Sequence, residues 1–228
     1  FSHEGERVLD QLMKEYGSGF EHNLHALRIV EDFEEKYASF RGLNLTFEVR
    51  EGIVKHSQDY SLEDTPYVDI QQYRLGQYPP LEAQLIDLAD EIAYNTADLD
   101  DGYDSGLLTV EQMVEQVELF RLTYIQVEQQ YSDALEKVKV SETVRQLINI
   151  LATSLVSESR AVLEAGGIDS VEKVRRFEKR LLGFDEKVTA QNRELKDFLH
   201  RNLYDHKIMR EPRKKAQLLL EELFRYYM

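Results

Sequence analysis

The sequence predicts an all-α protein, and three features support this fold class. Only four prolines and eleven glycines occur in 228 residues, so residues that interrupt helices are scarce. The second half of the chain is rich in Leu, Glu, Gln, Lys and Arg, which are strong helix formers. The hydrophobic content of 42% is enough to bury a sizeable core. We therefore expect a folded, helical chain.

Caps and breakers place the first helices. Residues 6–16 and 21–37 form two predicted helices, separated by a Gly-Ser-Gly stretch at 17–19. Residues 41–60 predict a turn and a short helix. Three of the four prolines fall between Ser57 and Pro80, where little periodicity is visible, so we expect a long ordered loop there.

The later helices have clearer boundaries. A helix over 81–98 starts after the Pro79-Pro80 pair. Thr109 and Ser141 have the character of N-caps, predicting helices over 109–137 and 141–164. Ser170 opens a predicted helix to residue 182, Gly183 separates it from another that runs to residue 204, and Pro212 begins the last.

Charge and composition restrict the class of protein. The formal net charge is -15, which argues against nonspecific binding of nucleic acid or of an anionic membrane. Cysteine is absent, so thiolate metal sites are excluded. No apolar run approaches the roughly 20 residues that span a bilayer, and the first residues do not resemble a signal peptide. We expect a cytoplasmic protein.

The helix predicted over 81–98 has two unlike faces. Successive helical residues rotate by about 100°, which groups one tyrosine with four acids: Asp87, Asp90, Tyr94, Asp98 and Asp101. A solvated surface would explain this face. A bound cation would explain it too, because neighbouring carboxylates repel one another and the sequence has no Lys or Arg between Arg74 and Arg121.

Two histidines near the amino end carry separate hypotheses. His3 stands three residues before Glu6, a helical spacing at which a carboxylate can orient an imidazole. His22 stands near Asn23, His25 and Arg28. A surface pair is the alternative for either, and zinc binding through His22 and His25 is disfavoured because two ligands make an incomplete site.

Several blocks, taken together, resemble the dGTP triphosphohydrolases and dGTPase-like proteins of the HD superfamily. They are FSHEGE at 1–6, FEHNLHALRI at 20–29, GLNLT at 42–46, REGIVKH at 50–56 and EAQLIDLADEIAY at 82–94, with a weaker continuation through FLHRNLYDH at 198–206. The resemblance covers most of the chain. It implies a partial HD-type catalytic domain over 1–105 and a helical carboxy-terminal region over 106–228 packed on it.

The resemblance also implies an activity. Relatives use a divalent metal, Mg²⁺, Mn²⁺ or another transition metal, to hydrolyse a deoxynucleoside triphosphate to the nucleoside and tripolyphosphate, and dGTP is the substrate we expect. Asp90 is similar to the last metal ligand, and the other ligands are expected upstream of Phe1. His3 is similar to the proton donor to the leaving oxygen, Glu6 to its orienter, and His22 to a second catalytic histidine.

Substrate contacts follow from the same resemblance. Asn23 stands beside His22, Lys55 and Arg210 are candidates to bind the triphosphate, and Tyr94 and Asp98 match contacts to the deoxyribose. At position 25, relatives commonly have Gln instead of His. The basic segment 207–215 predicts a solvated helix start, or a contact with a nucleotide effector or another subunit. We expect a homo-oligomer.

Two alternatives remain open at this point. The chain could be a noncatalytic helical module that regulates or assembles other proteins. It could also be another HD phosphohydrolase, such as a nucleoside monophosphatase, which would not release intact tripolyphosphate.

Overall fold

A computed structural model describes residues 2–57 and 68–228, without the side chains of residues 2, 3, 68 and 69. Within these ranges all regular secondary structure is helical, which confirms the predicted all-α class. The described residues form two packing units that interleave along the chain. The first draws on Phe1–Gln84, Ser170–Lys179 and Arg210–Met228, and the second on Leu85–Asp169 and Arg180–Met209. The predicted domain boundary at residue 105 stays a prediction.

The first unit contains two small cores. In one, α2 (His22–Arg28) continues into a π-helical turn (Ile29–Phe33) and packs against α3 (Phe47–Val54). A 3₁₀ segment (Val68–Tyr73) joins α3 there. The buried side chains of this core are Leu24, Leu27, Val54, Ile70, Tyr73 and Leu75.

The second core of this unit is formed by the first and the last helix of the chain, which pack against each other. Helix α1 (Ser2–Glu15) contributes Val8 and Leu12, and α10 (Lys207–Tyr227) contributes Leu220. Both helices are strongly amphipathic, as a two-helix contact of this kind requires. The short helix α8 (Val171–Arg175) also belongs to this unit.

Gly42 fixes the turn that follows the π-helical segment. Its φ is +63°, and a Cβ at this position would lie 2.3 Å from the carbonyl oxygen of Glu31 and 2.5 Å from that of Val30. The neighbouring Leu43 amide donates to the Val30 carbonyl at 2.8 Å. Only glycine fits this backbone approach without displacing main-chain atoms.

The second unit is a bundle around one larger core. It consists of most of α4 (Leu81–Asp104), then α5 (Val110–Gln116), α6 (Glu118–Gln130), α7 (Glu136–Ala165) and α9 (Glu186–Leu199), which ends in a π-helical turn (His200–Tyr204). The largest fully buried side chains include Phe120, Leu147, Leu151, Leu195 and Phe198.

Several predicted boundaries are wrong. Helix α7 begins at Glu136, so Ser141 lies inside it and does not cap it. The helix predicted over 21–37 ends at Phe33. The helix expected over 109–137 is broken at Val117, which is extended, and again before α7 begins at Glu136. The helix expected over 170–182 ends at Arg175. The last helix starts at Lys207 rather than at Pro212, so Pro212 lies inside it and removes one hydrogen bond near its start.

Helix α4 extends six residues beyond its predicted end at Asp98. An acidic carboxy-terminal turn is unfavourable to the helix dipole, but Lys137 Nζ lies 2.7 Å from Asp104 Oδ2, and Tyr103 donates to Glu136 at 2.9 Å. The predicted apolar face is confirmed at Ile92 and Leu99 and wrong at Leu85, which is 43% exposed.

Part of the loop predicted over 57–80 lies outside the described residues, because residues 58–67 are not described. The remainder contains the 3₁₀ segment before α4. No described helix is both long enough and apolar enough to cross a membrane.

Asp185 caps α9 and supplies a prediction about pH. Its carboxylate accepts from the Ser154 hydroxyl at 2.7 Å and from the Val188 amide at 2.9 Å. These bonds, with Ser154 the larger cause, hold the pKa of Asp185 below its ordinary value. A lowered folded-state pKa contributes stability above the unfolded pKa, and that contribution is lost as the pH falls through the folded pKa.

We therefore expect Asp185→Asn to unfold at lower urea than the wild type at about pH 7, with the difference shrinking towards about pH 3. Urea unfolding followed by circular dichroism at several pH values measures this difference. Asp133→Asn, in the exposed turn before α7, makes the same chemical change outside a cap. A gap between Asp185→Asn and wild type that stays constant with pH would contradict the capping role.

Candidate functional site

A carboxylate and imidazole pair lies where α1 meets the start of α2. Glu6 Oε1 is 2.7 Å from His22 Nδ1 and also accepts the His22 backbone amide at 3.0 Å. Because a carboxylate oxygen accepts and does not donate, Nδ1 carries the hydrogen of this bond. The His22 side chain is 49% exposed, so a ligand can reach it.

Glu21 stabilises the start of α2 beside this pair. As the N-cap of α2, it accepts the amides of Asn23 and Leu24, each at 2.9 Å. Its Oε1 lies 3.4 Å from His22 Nδ1. Glu6, Glu21 and His22 form the only group of ligand atoms within the described part of the chain that is compact enough for a metal. Their oxygens already accept amide and imidazole hydrogens, so the cluster is organised as a helix cap.

The predicted pairing of His3 with Glu6 lies outside the described residues, because the His3 side chain is not described. In the structure Glu6 is hydrogen-bonded to His22, which lies sixteen positions later in the chain. The sequence offered no local spacing that could have predicted this pair.

Asn23 and Lys55 are held by the protein itself. Asn23 is 3% exposed and donates to the His56 carbonyl at 2.8 Å. The Lys55 ammonium is 1% exposed and donates to Glu51 at 2.8 Å, to the Arg74 carbonyl at 3.0 Å and to the Gln77 carbonyl at 2.8 Å. These bonds use the three donors of the ammonium, so a substrate contact by Lys55 would require it to leave this arrangement.

Glu51 and Arg175 complete a buried ionic network that the sequence reasoning missed. Arg175 Nη1 lies 2.5 Å from Glu51 Oε1, and both side chains are buried. The four-residue spacing of Glu51 and Lys55 was a visible helical signal. Arg175 comes from 124 positions away, so no local pattern could have added it.

In the second unit, the polar row of α4 has the predicted alignment. Asp90, Tyr94 and Asp98 follow one another at four-residue spacing within one continuous helix. Asp90 is exposed, Tyr94 is 39% exposed and Asp98 is half-buried. All three therefore have some access to a ligand on this side of α4.

The expectation that these acids lack basic partners needs correction. Arg180 forms an ion pair with Asp87, and Lys196 Nζ lies 2.9 Å from Glu91 Oε2. Asn192 donates to the other Glu91 oxygen at 2.6 Å, and the Tyr204 hydroxyl donates to Asp98. The partners come from residues 180–204, so a local count of Lys and Arg could not detect them.

Tyr94 is kept protonated at neutral pH. Burial raises the pKa of its hydroxyl, and although the Lys196 ammonium opposes this shift, the carboxylates of Glu91 and Asp90 reinforce it. Burial alone would lower the pKa of Lys196, but its hydrogen bond to Glu91 and the neighbouring Tyr94 raise that pKa overall. The pair therefore consists of a cationic Lys196 and a neutral phenol that can donate a hydrogen bond.

Arg210, the remaining predicted contact, is exposed near the start of α10. Lys207, Lys214 and Lys215 are exposed on the same helix, and Arg213 is half-buried. The structure thus assigns His22 and Glu6 to one described site in the first unit. It assigns Asp90, Tyr94 and Asp98 to another in the second.

Comparison with known proteins finds a family profile and several similar proteins. A family profile described as phosphohydrolase-associated domain matches residues 182–228. A deoxyguanosinetriphosphate triphosphohydrolase-like protein of Geobacter sulfurreducens is 41% identical over 100% of this chain and 58% of its own length. The proteins of the same name from Nitrosomonas europaea and Bordetella pertussis are 43% and 41% identical, over 98% and 100% of this chain and 59% of their own lengths.

These matches extend over 98–100% of the chain, while the chain spans a little under three fifths of each of these relatives. The chain is therefore homologous along its whole length to the deoxyguanosinetriphosphate triphosphohydrolase-like proteins.

Proposed function

We propose that this chain supplies part of the active site of a metal-dependent hydrolase. The enzyme would convert a deoxynucleoside triphosphate, most specifically dGTP, to the deoxynucleoside and tripolyphosphate. The row of Asp90, Tyr94 and Asp98 on α4 carries this proposal, because it presents carboxylates and a phenol together in a chain homologous to proteins of that name. A purely solvated face would not require Tyr94 among the acids.

His22 is the group we assign to the phosphates. Glu6 holds the imidazole through Nδ1, and the side chain is 49% exposed, so the ring can contact a phosphate that approaches from solvent. His3 remains our candidate for the proton donor to the departing 5′ oxygen. Asn23, Lys55 and Arg210 stay predicted substrate contacts. A contact by Lys55 would require its ammonium to break hydrogen bonds to Glu51 and to the carbonyls of Arg74 and Gln77.

Asp90 can serve as one ligand of a divalent metal, since its carboxylate is exposed and oxygen ligands suit Mg²⁺ and Mn²⁺. One carboxylate does not hold such an ion. The described residues offer no compact metal group that includes Asp90, so we propose Asp90 as one ligand of a set that these residues do not complete. When bound, the metal would polarise the α-phosphate and lower the pKa of a bound water.

The decisive experiment measures deoxyguanosine and tripolyphosphate released from dGTP with Mn²⁺ or Mg²⁺, using the natural polypeptide that carries these residues. We expect Asp90→Asn to lower the rate by about 100-fold or more, because a metal ligand is lost. Asp101→Asn is the matched control, since Asp101 is an exposed acid three turns along the same helix and should leave the rate close to that of the wild type.

Three outcomes would contradict the proposal. Equal losses in both variants would mean that Asp90 acts only through the charge of the helix. Release of inorganic phosphate or a monophosphate would identify another HD phosphohydrolase. Absence of any product from the wild-type protein would favour the noncatalytic helical module.

A further inference from the structure

Two cationic side chains share one carboxylate oxygen in the interior of the first unit. Glu51 Oε1 binds the Lys55 ammonium at 2.8 Å and Arg175 Nη1 at 2.5 Å. All three side chains are at most 3% exposed. Lys55 and Arg175 therefore compete for the same oxygen in a place that water does not reach.

The bond between Glu51 and Arg175 is incomplete. Glu51 Oε2 and Arg175 Nε are both buried, and neither has a hydrogen-bond partner among the residues that the structure describes. A carboxylate and a guanidinium can form two parallel hydrogen bonds, whereas Arg175 reaches Glu51 through Nη1 and Oε1. Because unpaired buried polar atoms are unfavourable, a second bond between these two side chains would stabilise the network.

Phe47 keeps Arg175 beside this carboxylate. Phe47 precedes Glu51 by one turn of α3, and Arg175 Cζ lies 6.0 Å from the centre of the Phe47 ring, a distance at which a cation is attracted to an aromatic face. This contact does not involve Lys55. The guanidinium would therefore stay next to Glu51 if the Lys55 ammonium moved away.

The end of α3 connects Lys55 to the pair formed by Glu6 and His22. Lys55 is the C-cap of α3, and the carbonyl of the next residue, His56, accepts from Asn23 Nδ2 at 2.8 Å. Asn23 follows His22 at the start of α2. A lysine has a flexible four-carbon stem, so the Lys55 ammonium can change partners by side-chain rotation while this backbone connection stays in place.

We propose that Glu51 and Arg175 are positioning residues for Lys55. They hold its ammonium in the interior until a triphosphate binds, and Arg175 then replaces Lys55 on Glu51 by forming two parallel hydrogen bonds. Lys55 can leave without stranding a buried carboxylate, because a cation remains on Glu51. The triphosphate part of this inference rests on the proposed function, whereas the replacement of Lys55 by Arg175 does not depend on it.

The first test removes the Lys55 ammonium without any ligand. Lys55→Met keeps an unbranched side chain and removes the charge. Two parallel hydrogen bonds slow the rotation of a guanidinium about its Nε–Cζ bond, and ¹⁵N NMR of arginine side chains measures that rotation. We expect the rotation of Arg175 to be about 10-fold slower in Lys55→Met than in the wild type, the effect of one added hydrogen bond between charged groups. An unchanged or faster rotation would overturn the replacement.

Lys14→Met is the matched control for this test. Lys14 is exposed and lies 2.6 Å from Asp10 at four-residue spacing in α1, so the variant removes a lysine–carboxylate pair from the same unit. The rotation of Arg175 should equal that of the wild type. A slowing as large as in Lys55→Met would show a general response to lost charge and would contradict the replacement.

The second test adds inorganic tripolyphosphate and Mg²⁺ to the natural polypeptide that carries these residues. We expect bound tripolyphosphate to slow the rotation of Arg175 in the wild type to the value seen in Lys55→Met. Lys55→Met should bind tripolyphosphate at least about 10-fold more weakly. Bound tripolyphosphate with an unchanged rotation in the wild type would overturn the exchange of partners, and this measurement decides even if Lys55→Met fails to fold.

Arg175→Lys separates positioning from a structural role, since it keeps the charge but cannot form two parallel hydrogen bonds. We expect it to weaken tripolyphosphate binding by about 5- to 10-fold. It should have no further effect in a protein that already carries Lys55→Met, because Arg175 acts on the ligand only through Lys55. Equal losses in the two backgrounds would overturn the positioning role.

The outcomes also separate this inference from the proposed function. A wild-type protein that releases tripolyphosphate from dGTP, but whose Arg175 rotation does not respond to tripolyphosphate, contradicts this inference alone. A wild-type protein that binds no tripolyphosphate overturns the triphosphate part together with the assignment of Lys55 as a substrate contact. In that case the rotation of Arg175 in Lys55→Met still decides the replacement.

Discussion

Glu51→Ala should destabilise the first unit by about 3–5 kcal/mol, the usual result of removing one partner from a buried ionic network. Glu51 is fully buried, and its Oε1 binds both the Lys55 ammonium at 2.8 Å and the Arg175 guanidinium at 2.5 Å. Without Glu51, two cations would remain in an apolar environment with fewer acceptors. Lys55 would keep two carbonyls, but the negative charge of Glu51 would be lost from the network.

Hydrogen exchange resolved by peptide measures this effect in the unit concerned. We expect amides of α3 and α8 to exchange faster in Glu51→Ala, because Glu51 and Lys55 lie at α3 and Arg175 ends α8. Glu48→Ala is the matched control, since Glu48 is exposed on the same helix. A variant at Glu51 that behaves like the one at Glu48 would show that the network contributes little to stability.

Phe198→Ala should destabilise the second unit by a similar amount, about 3–5 kcal/mol, because it removes a large side chain from a packed core and leaves a cavity. Phe198 is fully buried in the core shared by α4 to α7 and α9. Its backbone carbonyl also accepts from Asn202 at 2.9 Å, so the π-helical turn that presents Tyr204 should loosen as well.

Urea unfolding measures the loss of stability. Phe33→Ala is the control for removing a phenyl ring outside a core, since Phe33 is 61% exposed and its loss should change the free energy of unfolding by no more than about 0.5 kcal/mol. We also expect Phe198→Ala to change the ¹³C chemical shift of the Asp98 carboxyl group, because Tyr204, which donates to Asp98, lies in the π-helical turn that follows Phe198. Equal unfolding midpoints for the two variants would mean that the core around Phe198 can close over the cavity.

Helical periodicity was sufficient for the fold class and for the alignment of the α4 row. The all-α architecture needs only scarce breakers and apolar spacing, which are local properties of the chain. The same rule placed Asp90, Tyr94 and Asp98 on one face, because spacing along one helix fixes direction without any tertiary contact. The resemblance to dGTPase-like proteins likewise depended on short blocks in order, and the comparisons confirmed it.

Helix ends were harder to predict than helices. The break at Val117 has no proline or glycine to mark it, and there the Glu118 amide donates to Glu194 in α9 at 2.8 Å. Pro212 marked a helix start that actually lies five residues earlier. A helix boundary depends on which distant groups satisfy the last free amides and carbonyls, and local propensity does not contain that information.

The sequence by itself determined that this protein is helical, that it is homologous to the dGTPase-like proteins, and which face of α4 is acidic. Tertiary structure alone decided which groups pair: Glu6 with His22, Arg175 with Glu51, and Tyr204 with Asp98. The physical reason is that periodicity fixes the direction of a side chain relative to its own helix, whereas its partner depends on how distant segments pack their apolar surfaces together.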